Sequence, residues 1–154
     1  MSLEENKVLI RRFYDEVWNR RNYAAARELF ADDTVRHELS GPVRGGVEGI
    51  ARNATAWCTA FPDTRCAVDD VIAEGDVVVP RWTMTATHQG EWRGIPATGQ
   101  PIRFQGVNIY RIVEGKVAEI WNFRDDLGLF QQLRAIPSLG QRHDATNQPD
   151  VRST

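Results

Sequence analysis

Apolar residues in this chain keep a helical spacing as far as residue 61 and switch, from Arg65, to strand-like alternation. That change of period limits the possible folds more than any other feature. Ile10, Phe13, Tyr14, Val17 and Trp18 recur at i, i+3, i+4, i+7 and i+8, which predicts a helix over 3–20. Asn22 stands where it would cap a shorter helix, YAAARELF. TVRHEL is a short strand candidate, closed by Gly41-Pro42. Residues 46–61 form a third expected helix, with Ile50, Ala54, Trp57 and Phe61 on one side, and FPDT ends it because a helix is disfavoured before proline. Strands are then expected over 65–73, 77–88, 102–113 and 116–124. AEGD and VEGK are tight turns, so the first and last pairs read as hairpins. DDLGLFQQLRAI adds a short amphipathic helix. Helices followed by an antiparallel meander define an α+β chain, distinct from alternating βαβ units.

A length of 154 residues corresponds to one domain, expected over 1–140, with a polar, aperiodic tail over 141–154. The formal charge of -2 and the lack of a basic run give no reason to expect nucleic acid or an anionic membrane as partner. MSLEENKVLI lacks the apolar core of a signal peptide, and no apolar run approaches the roughly 20 residues of a membrane span. Cytoplasmic localisation is the resulting expectation, with Cys58 and Cys66 as free thiols.

Alternation decides which side chains can meet. Trp82, Met84, Ala86 and His88 share one strand face. Ile102, Phe104, Gly106, Asn108, Tyr110 and Ile112 share another, and Val117, Glu119, Trp121, Phe123 and Asp125 a third. Each aromatic-rich face is expected to look toward the helices. The opposite face, a mixture of Thr, Arg, Gln, Val and Ile, suits either solvent or a dimer contact. On this reading a carboxylate beyond Trp121 and Phe123 is partly desolvated and suited to taking and returning a proton. Two roles are open for Asp125: helix cap, or carboxylate facing a cavity with Asp126 as the cap. Alternation favours the second. His88 likewise is either a satisfied structural histidine or a polar contact for a ligand at the mouth of the 87–100 loop. His37 raises the same question on its strand, with Glu38 on the opposite side.

Several chemistries lack their motifs. There is no H-E-x-x-H or C-x-x-C, so no metal is expected. GPVRGGVEG lacks the G-K-[ST] of a phosphate loop and the setting of a dinucleotide fold, and G-x-S-x-G is absent. An acid/base pocket without a cofactor remains.

The stretches RRFYDEVWN, HELSGPVRGGVEG, THQGEWRGIPATG and EIWNFRDDLGL resemble the SnoaL-like polyketide cyclases, of the cone-shaped α+β superfamily that includes ketosteroid isomerase, limonene epoxide hydrolase and scytalone dehydratase. The resemblance runs from about Lys7 to Pro137. It implies three to four helices packed into a curved antiparallel sheet around a deep pocket. It also implies cofactor-free ring closure (or isomerisation), in which an aspartate removes a proton next to a carbonyl and the enolate attacks a second carbonyl. The W-x-x-x-D-x-L-G-L pattern puts that aspartate on Asp125, with His88 as a second catalytic candidate. Tyr14, His37, Asn53, Trp57, Trp82, Asn108, Trp121 and Phe123 are the substrate-binding candidates, for an aromatic or apolar small molecule. The 87–100 stretch is expected to form the pocket rim, with Trp92 and Arg93 placed to cover it. A homodimer or homotetramer through the outer sheet face is the expected assembly. Two other readings stand beside the cyclase: a non-catalytic binder of an apolar ligand, and an epoxide hydrolase or hydroxylase-like relative. An epoxide hydrolase would need a carboxylate–Arg–carboxylate set around a water; Arg124 alternates away from Asp125, and Glu119 with an arginine from another strand is a possible source that nothing in the sequence forces. Arg134 stands where the family often ends its last helix with glycine.

Overall fold

The computed structural model describes residues 1–38 and 40–137; the expected tail over 141–154 lies outside them. Helix α1 spans Leu3–Phe13 and opens on a capping box. Glu5 N–H donates to Ser2 Oγ at 3.1 Å and Ser2 N–H to Glu5 Oε2 at 2.6 Å. The expected continuous helix over 3–20 changes character at Tyr14, where a π-helix runs over Tyr14–Asn19. The wider turn shows in the Arg20 N–H bond to the Asp15 carbonyl, five residues back, at 2.9 Å. Such segments often occur at functional sites because they re-aim side chains. Here Tyr14 and Val17 are buried. Arg21 closes the segment at a φ of 60°. Its guanidinium donates to the carbonyls of Trp18, Asn19, Pro62 and Thr64, tying the π-helix to the end of α3.

After a 3-10 turn, Tyr23–Ala25, come α2, Ala26–Leu29, and then β1, Phe30–Glu38. Asn22 does not cap this turn; its amide donates to Glu16 at 3.0 Å. A three-residue strand, β2, Gly41–Val43, precedes α3, Gly46–Ala60. The four expected strands are β3, Arg65–Glu74, β4, Val77–Thr87, β5, Pro101–Val113, and β6, Lys116–Arg124. Helix α4, Asp126–Gln132, ends at Arg134, which takes the left-handed conformation (φ 57°) that a glycine adopts more readily. The sheet has the order β2-β1-β6-β5-β4-β3 and curls without closing. β1 joins it parallel to β6, so the sheet is not wholly antiparallel as expected.

Strand β5 follows its expected alternation, with Ile102, Phe104, Gly106, Asn108, Tyr110 and Ile112 all buried. Strand β6 does not. Ile112 pairs with Val117 but Arg111 pairs with Glu119, which leaves Ala118 as an extra residue. A bulge of one residue moves every later side chain to the other face. Val117 and Ile120 therefore both point into the core. Glu119, Trp121 and Phe123 point outward, with Phe123 57% exposed. The inner face carries the cross-strand pairs Tyr110–Ile120, Asn108–Asn122 and Gly106–Arg124. In the next register Trp82 faces Gly106 and Met84 faces Phe104. Gly106 leaves the space that the Trp82 indole occupies. A Cβ there would stand against that ring and 2.8 Å from the Phe123 carbonyl oxygen. Gly106→Ala is expected to lower unfolding free energy by about 1–3 kcal/mol in urea denaturation, because neither the indole nor a strand backbone can yield freely.

Candidate functional site

The concave side of the sheet, α3 and the α1/π-helix junction enclose one cavity of about 70 Å³. On the scale where one water needs roughly 10–15 Å³, that is room for about five waters. Its apolar wall begins on α3, where Ile50, Asn53 and Trp57 face inward at helical spacing. Trp57 stacks on Phe61 at 4.1 Å and donates its indole N–H to Thr64 Oγ1 at 2.9 Å. Trp82 and Phe104 meet edge to face at 5.5 Å across β4 and β5. The rim loop contributes Trp92, edge-on to Trp57 at 4.9 Å. A tight turn fixes that rim tryptophan. Trp92 and Ile95 exchange both backbone hydrogen bonds at 2.9 Å, and Arg93 and Gly94 take positive φ values of 48° and 79°. The exposed Arg93 guanidinium lies over the Trp92 ring at 5.2 Å. The 87–100 stretch is thus a rim, with Trp92 in the cavity wall and Arg93 outside it.

The polar wall is one hydrogen-bonded chain. Trp82 Nε1 donates to Asn108 Oδ1 at 3.0 Å. An indole nitrogen only donates, so this bond fixes which end of the Asn108 amide is oxygen. Asn108 Nδ2 then donates to Tyr110 Oη at 3.1 Å and to Asn122 Oδ1 at 2.6 Å. Asn122 Nδ2 donates in turn to Glu38 Oε1 at 3.1 Å. Tyr110 Oη lies 3.0 Å from Tyr14 Oη. Tyr110 Oη has a second lone pair besides the one that accepts from Asn108, so the bond to Tyr14 can run either way, and in either case one of the two phenol protons is left for a ligand. Burial, reinforced by the Tyr110 phenol, pushes the Tyr14 phenol well above its ordinary value of 10. Burial likewise raises Tyr110, against the opposing bonds from Tyr14 and Asn108. Both phenols are donors, not phenolates, across the neutral range.

The charged end is built by β1 and the end of β6. Arg36, Glu38 and Arg124 line the cavity. Arg36 Nε sits 2.7 Å from Glu38 Oε1 as an ion pair outside hydrogen-bond geometry. Arg124 Nε sits 2.8 Å from Asp126 Oδ1 in the same manner, from outside the cavity. Among the described residues no three His, Cys, Asp or Glu side chains cluster as a metal site.

Five expected contacts line the cavity: Tyr14, Asn53, Trp57, Trp82 and Asn108. Five expected residues do not. Asp125 is exposed and caps α4, accepting the Gly128 N–H at 2.9 Å, while Asp126 turns to Arg124. Alternation gives the cavity to Asp125 and the cap to Asp126; with the Ala118 bulge shifting β6 by one residue, Asp125 is the cap and neither aspartate lines the cavity. The same shift carries Trp121 and Phe123 to the outer face. His37 follows Trp121 outward, stacked on its ring at 4.8 Å and 3.8 Å from Glu119. Glu119 pairs there with Arg111 at 2.9 Å, so this carboxylate–arginine pair stands outside the cavity. His88 is fully buried on Phe61 and does not line the cavity. Its Nδ1 accepts the Thr98 N–H at 3.2 Å and its backbone pairs with Gln100 and Gly99, so it pins both ends of the rim loop. Sequence reasoning missed Arg36, Glu38, Asn122 and Arg124. The alternation of Thr34, Arg36 and Glu38 opposite His37 was the available signal for the first two.

Two measurements check this placement. The third tyrosine, Tyr23, is raised to about 12 by partial burial and its contact with Cys58. All three phenols then sit above their unfolded value near 10, so they favour the folded state below pH ~10 and lose that stabilisation as pH rises further. Absorbance at alkaline pH should show no phenolate at pH 10 and a step only as the fold is lost. Asp125→Ala should cost about 1 kcal/mol in denaturant unfolding, and Asp125→Asn only a few tenths, since asparagine caps as well.

The model of the SnoaL-like polyketide cyclase family matches residues 8–133. Among curated proteins no match was found. Three solved structures share the fold over most of both chains. AclR from Streptomyces galilaeus, a candidate hydroxylase, is 32% identical with a TM-score of 0.80, covering 88% of this chain and 100% of its own. TsrD from Streptomyces laurentii is 26% identical with a TM-score of 0.81, covering 88% and 99%. A candidate SnoaL-like polyketide cyclase from Jannaschia sp. CCS1 is 25% identical with a TM-score of 0.79, covering 87% and 94%. The chain belongs to the SnoaL-like polyketide cyclase family.

Proposed function

We propose that this protein is a cofactor-independent acid/base enzyme that enolises a small aromatic carbonyl compound, with Glu38 as the proton acceptor and Tyr14 as the donor to the developing oxyanion. The observation that carries the reading is the chain from Trp82 through Asn108, which ends on the Glu38 carboxylate at one side and on the paired hydroxyls of Tyr110 and Tyr14, with one proton between them to spare, at the other. A base that removes a proton next to a carbonyl needs a neutral donor where the enolate oxygen forms. Glu38 Oε1 is held by the Asn122 amide and Arg36, so the carboxylate is oriented before substrate arrives. Trp57, Trp82 and Phe104 supply flat surfaces for a ring. Ring closure follows when the same molecule offers a second carbonyl to the enolate; without one, reprotonation at another carbon gives isomerisation. This is the class of reaction that the family's cyclases imply, moved from the aspartate of the α4 cap to a carboxylate in the cavity.

The test is carbon-bound deuterium uptake in heavy water, read by mass spectrometry, with a panel of aromatic β-dicarbonyl compounds. Glu38→Gln should reduce exchange by roughly 100-fold or more, the usual contribution of a positioned general base. Tyr14→Phe should reduce it with little change in substrate affinity. Asp125→Asn should leave it near wild type. Exchange that survives Glu38→Gln and disappears in Asp125→Asn would return the base to Asp125. Tight binding without exchange across the panel would favour an apolar-ligand binder.

A further inference from the structure

The proposed acid/base pair leaves Arg124 without a task, and its surroundings are unusual for an arginine. Its side chain is only 21% exposed. Asp126 engages Nε alone, and no hydrogen bond or ion pair forms at Nη1 or Nη2 among the described residues. A guanidinium carries five donors, and those on Arg124 Nη1 and Nη2 are not among the buried atoms that lack a partner, so they stay open to an acceptor that enters the cavity. The unused fork belongs to a residue that lines the cavity.

Its neighbours narrow the kind of acceptor. Arg124 pairs across the strands with Gly106, which has no side chain of its own; the Trp82 indole covers that position. Along the floor from the fork come Asn122 and then Ile120, and Glu38 is bonded to Asn122. A flat ring against Trp82 therefore has a guanidinium at one edge and the carboxylate base farther along the same wall. Two guanidiniums, Arg36 and Arg124, face the cavity against one carboxylate, Glu38. Arg36 is engaged with Glu38 and Arg124 with Asp126 through Nε alone, which leaves the Nη side of Arg124 to meet an added carboxylate.

We propose that Arg124 is a specificity-determining residue that binds a carboxylate on the substrate, so that the enzyme acts on an aromatic keto acid in preference to its ester or amide. The inference rests on the acid/base reading for the reaction itself, but the binding preference stands or falls separately. A carboxylate matches the two Nη groups in bidentate fashion and brings a single charge. A doubly charged phosphate would place more negative charge beside Glu38 than a guanidinium already paired with Asp126 at Nε offsets. The chain's formal charge of -2 repels anions in general, so preference for an acid has to come from the cavity.

The probes are 3-acetylbenzoate, its methyl ester and its primary amide, with affinity read from quenching of tryptophan fluorescence and confirmed by calorimetry. Wild type should bind the acid at least about tenfold more tightly than ester or amide, the scale of one charge-assisted bond. Arg124→Met should bring the three within about twofold of one another and leave ester affinity unchanged, which also shows an intact cavity. Arg124→Lys should restore part of the preference. If Arg124→Met fails to fold, Arg124→Gln carries the same comparison. Equal affinity for acid and ester in wild type, no binding of any probe at millimolar concentration, or a preference that survives loss of the guanidinium would overturn the proposal. Acid preference without deuterium exchange would support the anion site and count against the enolising reading. Exchange with esters as readily as with acids would do the reverse.

Discussion

One extra residue in β6 governs what this protein presents to a ligand. Ala118 has no partner between the Val117–Ile112 and Glu119–Arg111 pairs. Strand side chains alternate with a period of two, so this residue transfers Asn122 and Arg124 inward and Trp121 and Phe123 outward. The choice then propagates laterally. β1 lies parallel to β6 with His37 beside Trp121 and Arg36 beside Ile120. Once β6 is placed, Arg36 and Glu38 face the cavity and His37 goes to the outer stack. The charged half of the site is a consequence of one unpaired backbone position, six residues before Arg124 and two before the Ile120 that Arg36 pairs with.

The neutral half depends on a different constraint. Buried amides and phenols are stabilising only when each donor and acceptor is used, and an amide can be turned either way. Trp82 removes that freedom because its indole only donates. Asn108 must then give both amide protons away, one of them to Tyr110, and Asn122 must give one to Glu38. Gly106 makes this geometry available by leaving the Trp82 ring room to lie over the sheet. A glycine with no functional group thus determines which way protons point in the cavity.

The fold class, the helix over 46–61 and the four strands after Arg65 were legible because composition and period agree over long segments. The cavity residues on elements without irregularity were legible for the same reason: Trp82 and Asn108 on β4 and β5, Asn53 and Trp57 on α3. Asp125, Trp121 and Phe123 were misplaced together by a bulge whose residue, Ala118, has no turn chemistry to announce it. The π-helix was equally silent, since Tyr14 and Trp18 satisfy a 3.6 period and a wider one. β1 was found, but its parallel pairing with β6 depends on contacts more than 80 residues away in sequence. His88 was read as a ligand contact because of its place at the loop mouth; its ring satisfies Thr98 instead and holds the rim.

Members of this family share a scaffold over nearly their whole length, and the scaffold alone does not select a reaction. Selection here rests on the lining. A cavity of about 70 Å³ is roughly half the ~150 Å³ of one that takes up benzene, so a ring-sized ligand would need the room that opens when Trp92 leaves its contact with Trp57. The turn that carries Trp92 is closed by paired backbone bonds at its tip and pinned by His88 at its base, so any such movement would displace the tip as a unit, not just the indole. Ligand size is therefore set by the rim and ligand polarity by the end of β6. These two controls sit on different elements, and relatives with the same sheet can differ in substrate by changing either one alone.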